Sequence, residues 1–346
     1  MTEIMESVTC IMLRCLTILL CLFGVFSSAP SIPAAERNFL LGTASPGGTY
    51  YPVGVAFATL VKVTLQEPHG IVLTAVPTAG SAENVRLIRD REVQFAILQG
   101  LVAADARSGH GPFKDTGPEL SLRSLTALWL NVEQFVIQAE FSETGTIDDL
   151  LAIKGERLVL GNVNSGTLAS SRVLLENLGS EIERDNDLVY MGYGPAADAM
   201  QGGNVAAIAL PAGVPTKALT RLKSEMGEAV VILGFTADQA RRADGGRELW
   251  KPYEIPANTY PAQPDAVMSI AQPNVLAVSS DVPEEVVYRI TRSIYENLSL
   301  LRSLHEATEA ISLGNALSGL PMPLHPGAAR YFMERGLEIP RHLVPD

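Results

Sequence analysis

The sequence predicts an α/β protein built as two successive α/β units joined by two crossovers of the chain. Three observations predict it. Short apolar strands alternate with helices twice along the chain. Those strands are apolar throughout, as in a parallel sheet covered on both faces. A return segment at the C-terminal end has one extended run and several helices, but too little β pattern for its own sheet. The first series reads strand 39–41, helix 53–65, strand 71–76, helix 81–89 and strand 95–98. Ser81 is the expected N-cap of the second helix, with Glu83 in its first turn. A loop rich in Gly, Pro and charge covers 108–119, an extended run 125–139 and a polar helix 148–154. The second series reads strand 157–160, helix 167–178, strand 188–191, helix 195–201, strand 205–210, helix 216–226 and strand 230–233. A Pro-rich linker is expected over 253–264 and an extended segment over 267–279. Pro283 then opens an amphipathic helix to 298, and helix follows over 300–311 and 327–335. The return segment is expected to pack onto the first unit. Lobe I is then 36–135 with 255–346, and lobe II is 136–254. Open α/β sheets bind ligands beyond the C-terminal ends of their strands, so the cleft between the lobes is the expected site.

Composition narrows the function. Of 346 residues, 47% are hydrophobic and 18% charged, which supplies a core and excludes a disordered chain. The formal charge of −12 argues against nucleic acid as a partner and against docking on an anionic membrane. Residues 11–26 are nearly all apolar, and small residues and prolines follow to Ala35, the layout of a secretory signal peptide over 1–35. Cys10, Cys15 and Cys21 all lie within it, so cleavage near Ala35 leaves a chain without thiols. Extracytoplasmic, periplasmic residence is the expectation. The five histidines (His69, His110, His305, His325 and His342) show no metal-ligand spacing, and G-x-S-x-G is absent. No catalytic residue, metal ligand or cofactor is assigned.

Four turns carry the site. Each follows a strand and opens a helix, whose first N–H groups lack intrahelical partners and form a positive dipole end. They are Ala44-Ser-Pro-Gly-Gly-Thr-Tyr50, Pro77-Thr-Ala-Gly-Ser-Ala-Glu-Asn84, Asn162-Val-Asn-Ser-Gly-Thr167 and Leu210-Pro-Ala-Gly-Val-Pro215. Gly47 and Gly48 let backbone approach a ligand, and Thr49 and Tyr50 add hydroxyls; a plain tight βα turn is the alternative. Ser165 and Thr167 serve equally as helix caps or ligand contacts. None of the four turns contains Lys or Arg, so an anion would rest on helix N-termini and hydroxyls. Arg86 is the nearest cation in sequence.

These turns, in this order, resemble the TAXI-type solute-binding proteins of TRAP transporters. The matching segments are 47–52, 80–89, 95–99, 164–167, 212–215, 259–263, 282–288 and 320–332. The resemblance implies a two-lobe, type II-like periplasmic-binding-protein fold that closes on a small solute. It implies a carboxylate or amino-acid ligand such as glutamate, glutamine or 2-oxoglutarate, and TRAP-type permease subunits as membrane partners. Carried over by position, Ser45, Gly48, Thr49, Tyr50, Ser81 and Gln99 line the cleft from lobe I. Asn164, Ser165, Gly166, Thr167, Ala212 and Gly213 line it from lobe II. The chain departs from the family pattern at Ala44-Ser45-Pro46, at Gly100-Leu101 and at Ala209-Leu210-Pro211. All three changes fall at expected cleft positions and point to a ligand less polar at one end. A ligand-sensing lobe for a membrane receptor, or an enzyme on the same scaffold, are the alternatives.

Overall fold

The computed structural model describes residues 35–345. All of the expected leader but Ala35 lies outside them. The strands are β1 (Arg37–Gly42), β2 (Ile71–Val76), β3 (Phe95–Gln99), β4 (Leu122–Val132), β5 (Phe135–Gln138) and β6 (Arg157–Val159). β7 (Asp187–Leu188), β8 (Ala207–Ala209), β9 (Val230–Ile232), β10 (Lys251–Ile255) and β11 (Val267–Ser279) complete them. The helices that position the site are α1 (Tyr50–Val61), α2 (Ser81–Arg89), α3 (Gly100–Ser108), α4 (Gly166–Asn177), α5 (Tyr193–Gln201) and α6 (Lys217–Met226). The return segment adds α7 (Glu284–Glu296), α8 (Leu298–Leu304) and α9 (Pro326–Glu334).

Two sheets result. One has the order β10-β11-β3-β1-β2, with β4 along the other edge of β11; the second has the order β7-β6-β8-β5-β9. We call the layers built on them lobe I and lobe II. Within each, consecutive βα units supply parallel strands: β1 with β2 and β3, and β6 with β7 and β8. An antiparallel strand then joins each sheet from the other side of the molecule. β11 runs against β3 in lobe I, and β5 runs against β8 and β9 in lobe II. Both sheets are therefore mixed, where apolar strand patterning had predicted parallel ones. A strand arriving from the opposite lobe enters in the reverse direction, and burial on both faces is the same either way.

β4 and β11 pair along most of their length and form the ribbon at the crossovers. β4 leads into β5 through Glu133 and Gln134, while β11 brings the chain back. β10, at 251–255, pairs with the start of β11 where the sequence predicts the beginning of a Pro-rich linker. Pro252 sits within β10, which lies at the edge of its sheet, and the prolines at 256, 261 and 264 that dominate the composition follow the strand. The helix at 100–108 also escapes the sequence pattern. Gly100 opens it and Gly109, in the left-handed region, closes it.

Local chemistry explains the other elements. α1 takes Pro52 in its first turn, where no intrahelical N–H is needed. α7 begins after Pro283 with Glu284 and Glu285 on its positive end, and buries Val286, Val287, Ile290 and Ile294 against the rest of lobe I. His325 caps α9: its Nδ1 accepts from the N–H of Gly327 at 3.2 Å, and its Nε2 lies 2.9 Å from the carbonyl of Val282. Among the described residues, no helix is long and apolar enough to cross a membrane.

Candidate functional site

The strand-end turns of both lobes converge on one cavity. Lobe I contributes Ser45, Gly48, Thr49 and Tyr50 from the β1–α1 turn, Gly80 and Ser81 from the β2–α2 turn, and Gln99 at the end of β3. Lobe II contributes Ser165, Gly166 and Thr167 from the β6–α4 turn, Gly192 and Tyr193 at the start of α5, and Ala212 after β8. The cavity with its mouth has a volume of about 510 Å³. Four helix N-termini, those of α1, α2, α4 and α5, therefore meet there.

Glycines let the lobes touch on either side of this space. A Cβ on Gly166 would lie 2.5 Å from Gln99 Oε1 and 2.8 Å from Ser81 Oγ. A Cβ on Gly48 would lie 3.1 Å from the Tyr193 ring, and one on Gly47 would lie 2.8 Å from the backbone nitrogen of Gly194. The sequence assigns Gly47 and Gly48 to close approach of a ligand; in the structure Gly48 lines the cavity, and both glycines also lie against the opposite lobe. Hydrogen bonds cross between lobes as well, two of them beside the cavity. The N–H of Gly213 donates to Thr49 Oγ1 at 3.2 Å, and the N–H of Glu83 donates to the carbonyl of Asn164 at 2.9 Å. The lobes are closed on each other.

Most of the hydroxyls at the cavity are already engaged. Tyr50 donates to Asn274 Oδ1 on β11 at 2.5 Å, and its ring packs edge-on against Trp129. Ser165 caps α4 by accepting from the N–H of Leu168 at 3.0 Å. Tyr193 donates to the carbonyl of Pro211 at 2.6 Å and lies 2.8 Å from Thr167 Oγ1. Burial raises the pKa of both tyrosines, so each stays a neutral donor. Ser81 is not the expected N-cap; Gly80 occupies that place in a positive-φ conformation. Ser81 Oγ instead accepts from the N–H of Gln99 at 3.0 Å. Gln99 Oε1 is buried without a partner. Arg86 is no cleft cation: it pairs with Asp90 and Glu92 on the surface.

Two expected cleft residues do not reach the cavity. Asn164, with φ at 62°, lines the adjoining groove beside α4. Gly213 lies against Trp129 and Thr49, where a Cβ would sit 3.0 Å from the indole. Sequence reading missed Met191, Gly192 and Tyr193. The signal for Tyr193 was available, because Met191-Gly-Tyr-Gly-Pro195 is another strand–glycine–helix turn. It was hidden by starting that helix at Pro195, two residues late.

Behind the cavity the crossover strands carry a buried polar cluster. Glu133, fully buried, accepts from Trp250 Nε1 at 3.0 Å and Gln272 Nε2 at 3.1 Å on its Oε1, and from Ser170 Oγ at 3.3 Å on its Oε2. These donors come from the start of β10, from β11 and from α4. No cation faces it, and burial pushes its pKa from 4.5 up to about 7 against the lowering effect of the donors. Gln134 donates to the carbonyl of Leu210 at 3.2 Å and to Thr216 Oγ1 at 2.9 Å, which holds the Ala212–Pro215 turn in place. No group of three or more His, Cys, Asp or Glu side chains could hold a metal ion among the described residues.

The model of the NMT1-like family matches residues 41–336. The chain belongs to the NMT1-like family. Among solved structures it is similar to the periplasmic binding protein BugD, with 12% identity, a TM-score of 0.51, and coverage of 88% of this chain and 94% of that one. It is similar to a protein of Bordetella bronchiseptica RB50 at 11% identity and a TM-score of 0.50, covering 86% of this chain and 82% of that one. A binding component of an ABC phosphonate transporter from Pseudomonas aeruginosa matches at 11% identity and a TM-score of 0.49, covering 79% of both chains. At these identities the likeness to the first two shows the fold alone, the two-lobe α/β fold of periplasmic binding proteins. The TAXI type is a finer division than the family match.

Proposed function

We propose that the protein is a periplasmic solute-binding protein that captures a small carboxylate by closure of its two lobes and delivers it to a membrane transporter. The observation that carries this reading is the cavity itself. Four helix N-termini from two lobes meet around one cavity, and the lobes touch through glycines on either side of it. Helix N-termini offer unpaired N–H donors and a partial positive charge, which suits an anion. The lining offers no nucleophile–base pair, so binding rather than turnover is the reading. Ten of the twelve cleft residues carried over from the TAXI resemblance line this cavity, and we take them as the ligand contacts. The leader-like N-terminus supports export to the periplasm.

A thermal-stability screen with small carboxylates tests capture. A ligand at 100 times its dissociation constant stabilises the fold by about 2.7 kcal/mol. A screen in which no small anion shifts the melting temperature of folded protein sinks the proposal. The TAXI resemblance further assigns the membrane partner to the TRAP type. Uptake of the solute should then follow an ion gradient, and uptake that needs ATP instead would overturn that assignment alone.

A further inference from the structure

The charges that the cavity lacks restrict what it can hold. Among the described residues that line it, none is Asp, Glu, Lys, Arg or His. Its electrostatic resource is the set of helix N-termini, which favours one sign of charge. Tyr50 and Tyr193 donate their hydroxyl protons to the protein, whereas Thr49, Ser81 and Ser165 accept from backbone N–H groups and keep their protons for an anion. The rest of the wall includes Ala44, Ala79, Met191, Pro211 and Ala212, which have no side-chain polar group to offer a second charged end.

A second, independent feature marks the polar end. Gln99 lines the cavity, is 3% exposed, and has a side-chain oxygen without a partner. It sits against Gly166 and Ser81, where the N-termini of α2 and α4 face each other. Two positive helix ends brought together across the lobes are stabilised by an anion beside them; the Gln99 oxygen, an acceptor, rests against Gly166, and its amide nitrogen is the donor that can meet the anion.

Resting on the solute-binding reading, we infer that the captured solute carries a single negative charge, no positive charge, and a short apolar body: a short-chain monocarboxylate or monosulfonate. The three solutes implied by the family resemblance do not meet this rule. Glutamate and 2-oxoglutarate carry a second carboxylate, and glutamate and glutamine carry an ammonium. Each extra charge would enter a cavity between the lobes with no counter-ion on its wall, losing hydration without compensation. The buried carboxylate Glu133 does not serve an ammonium, because it is not among the residues that line the cavity and its oxygens are bonded to Trp250, Gln272 and Ser170.

The test is calorimetric titration of the purified protein, freed of carried-over solute by unfolding and refolding. The probes are pentanoate, pentane-1-sulfonate, glutarate, 2-oxoglutarate, glutamate and glutamine. Pentanoate or pentanesulfonate should bind at least ~100-fold more tightly than glutarate or either amino acid. The pair of monoanions separates carboxylate from sulfonate as the head group. Gln99→Glu, which sets a like charge beside the anion, should weaken the monoanion at least ~10-fold with the melting temperature retained, which places the binding in this cavity. Glutarate, 2-oxoglutarate, glutamate or glutamine binding as tightly as pentanoate overturns the single-charge rule and leaves solute capture standing. Silence from every probe, charged once or twice, overturns both.

Discussion

Replacing Glu133 by Gln isolates the cost of a buried charge at the crossovers. The carboxyl is fully buried, has three neutral donors and no cation, and its pKa is raised from 4.5 to about 7. Because the folded value lies above the unfolded one, the group favours folding most below about pH 4.5. That advantage shrinks as pH rises and is gone above about pH 7. The difference between the two limits is about 3 kcal/mol. Glutamine has nearly the same shape, and its Oε1 can still accept from Trp250 and Gln272 while its amide faces Ser170. For a chain of this length, ~3 kcal/mol is about 5 °C in melting temperature. The assay is the melting temperature of wild type and Glu133→Gln at pH 5 and pH 8. The variant should melt about 5 °C higher than wild type at pH 8, with the gap mostly closed at pH 5. Other titrating groups are common to both proteins and cancel in the difference. A gap that is equal at the two pH values, or a variant less stable at both, would refute the reasoning.

Other expectations follow from single contacts. Gly166→Ala puts a methyl 2.5 Å from Gln99 Oε1 and 2.8 Å from Ser81 Oγ, so closure is obstructed. Titration should show at least ~10-fold weaker binding, with the unliganded melting temperature unchanged, since alanine suits the first turn of α4. Thr49→Val removes the acceptor of the Gly213 N–H across the cleft and should cost about 1 kcal/mol of binding, measured by the same titration. His325→Ala removes the cap of α9 and the contact with the Val282 carbonyl, and should destabilise the fold by ~1–3 kcal/mol in denaturant melts. Burial lowers the pKa of His325, so its contribution is full above the ordinary 6.5 and is lost as pH falls below it. The variant should lack that part of the acid loss.

The fold was legible because its elements carry local signals. β-branched runs such as Ile71–Val76 and the punctuation by Gly, Ser and Thr before each helix fix the βα units and place their turns at strand ends. The same logic singled out Thr49, Tyr50, Ser165 and Thr167, and the family resemblance added Ser45, Ser81 and Gln99; all of them line the cavity. What was hidden depends on the other lobe. Nothing local distinguishes Glu133 from an exposed carboxylate, because its burial is created by Trp250 and Gln272, more than a hundred residues away, and by Ser170. The role of Gly48 is set by Tyr193, which becomes its neighbour only when the lobes meet. Gly213 fails to line the cavity because the indole of Trp129 and Thr49 already occupy its flank. β10 was masked by the prolines that follow it.

Small-angle X-ray scattering with and without solute tests the central claim most directly, which is that a small anion is captured by closure of the two lobes. Wild type at saturating monoanion should contract, with a smaller radius of gyration than the unliganded protein. Gly166→Ala should stay at the larger value at the same concentration. A wild-type protein that binds the solute with no change in radius of gyration would contradict capture by closure.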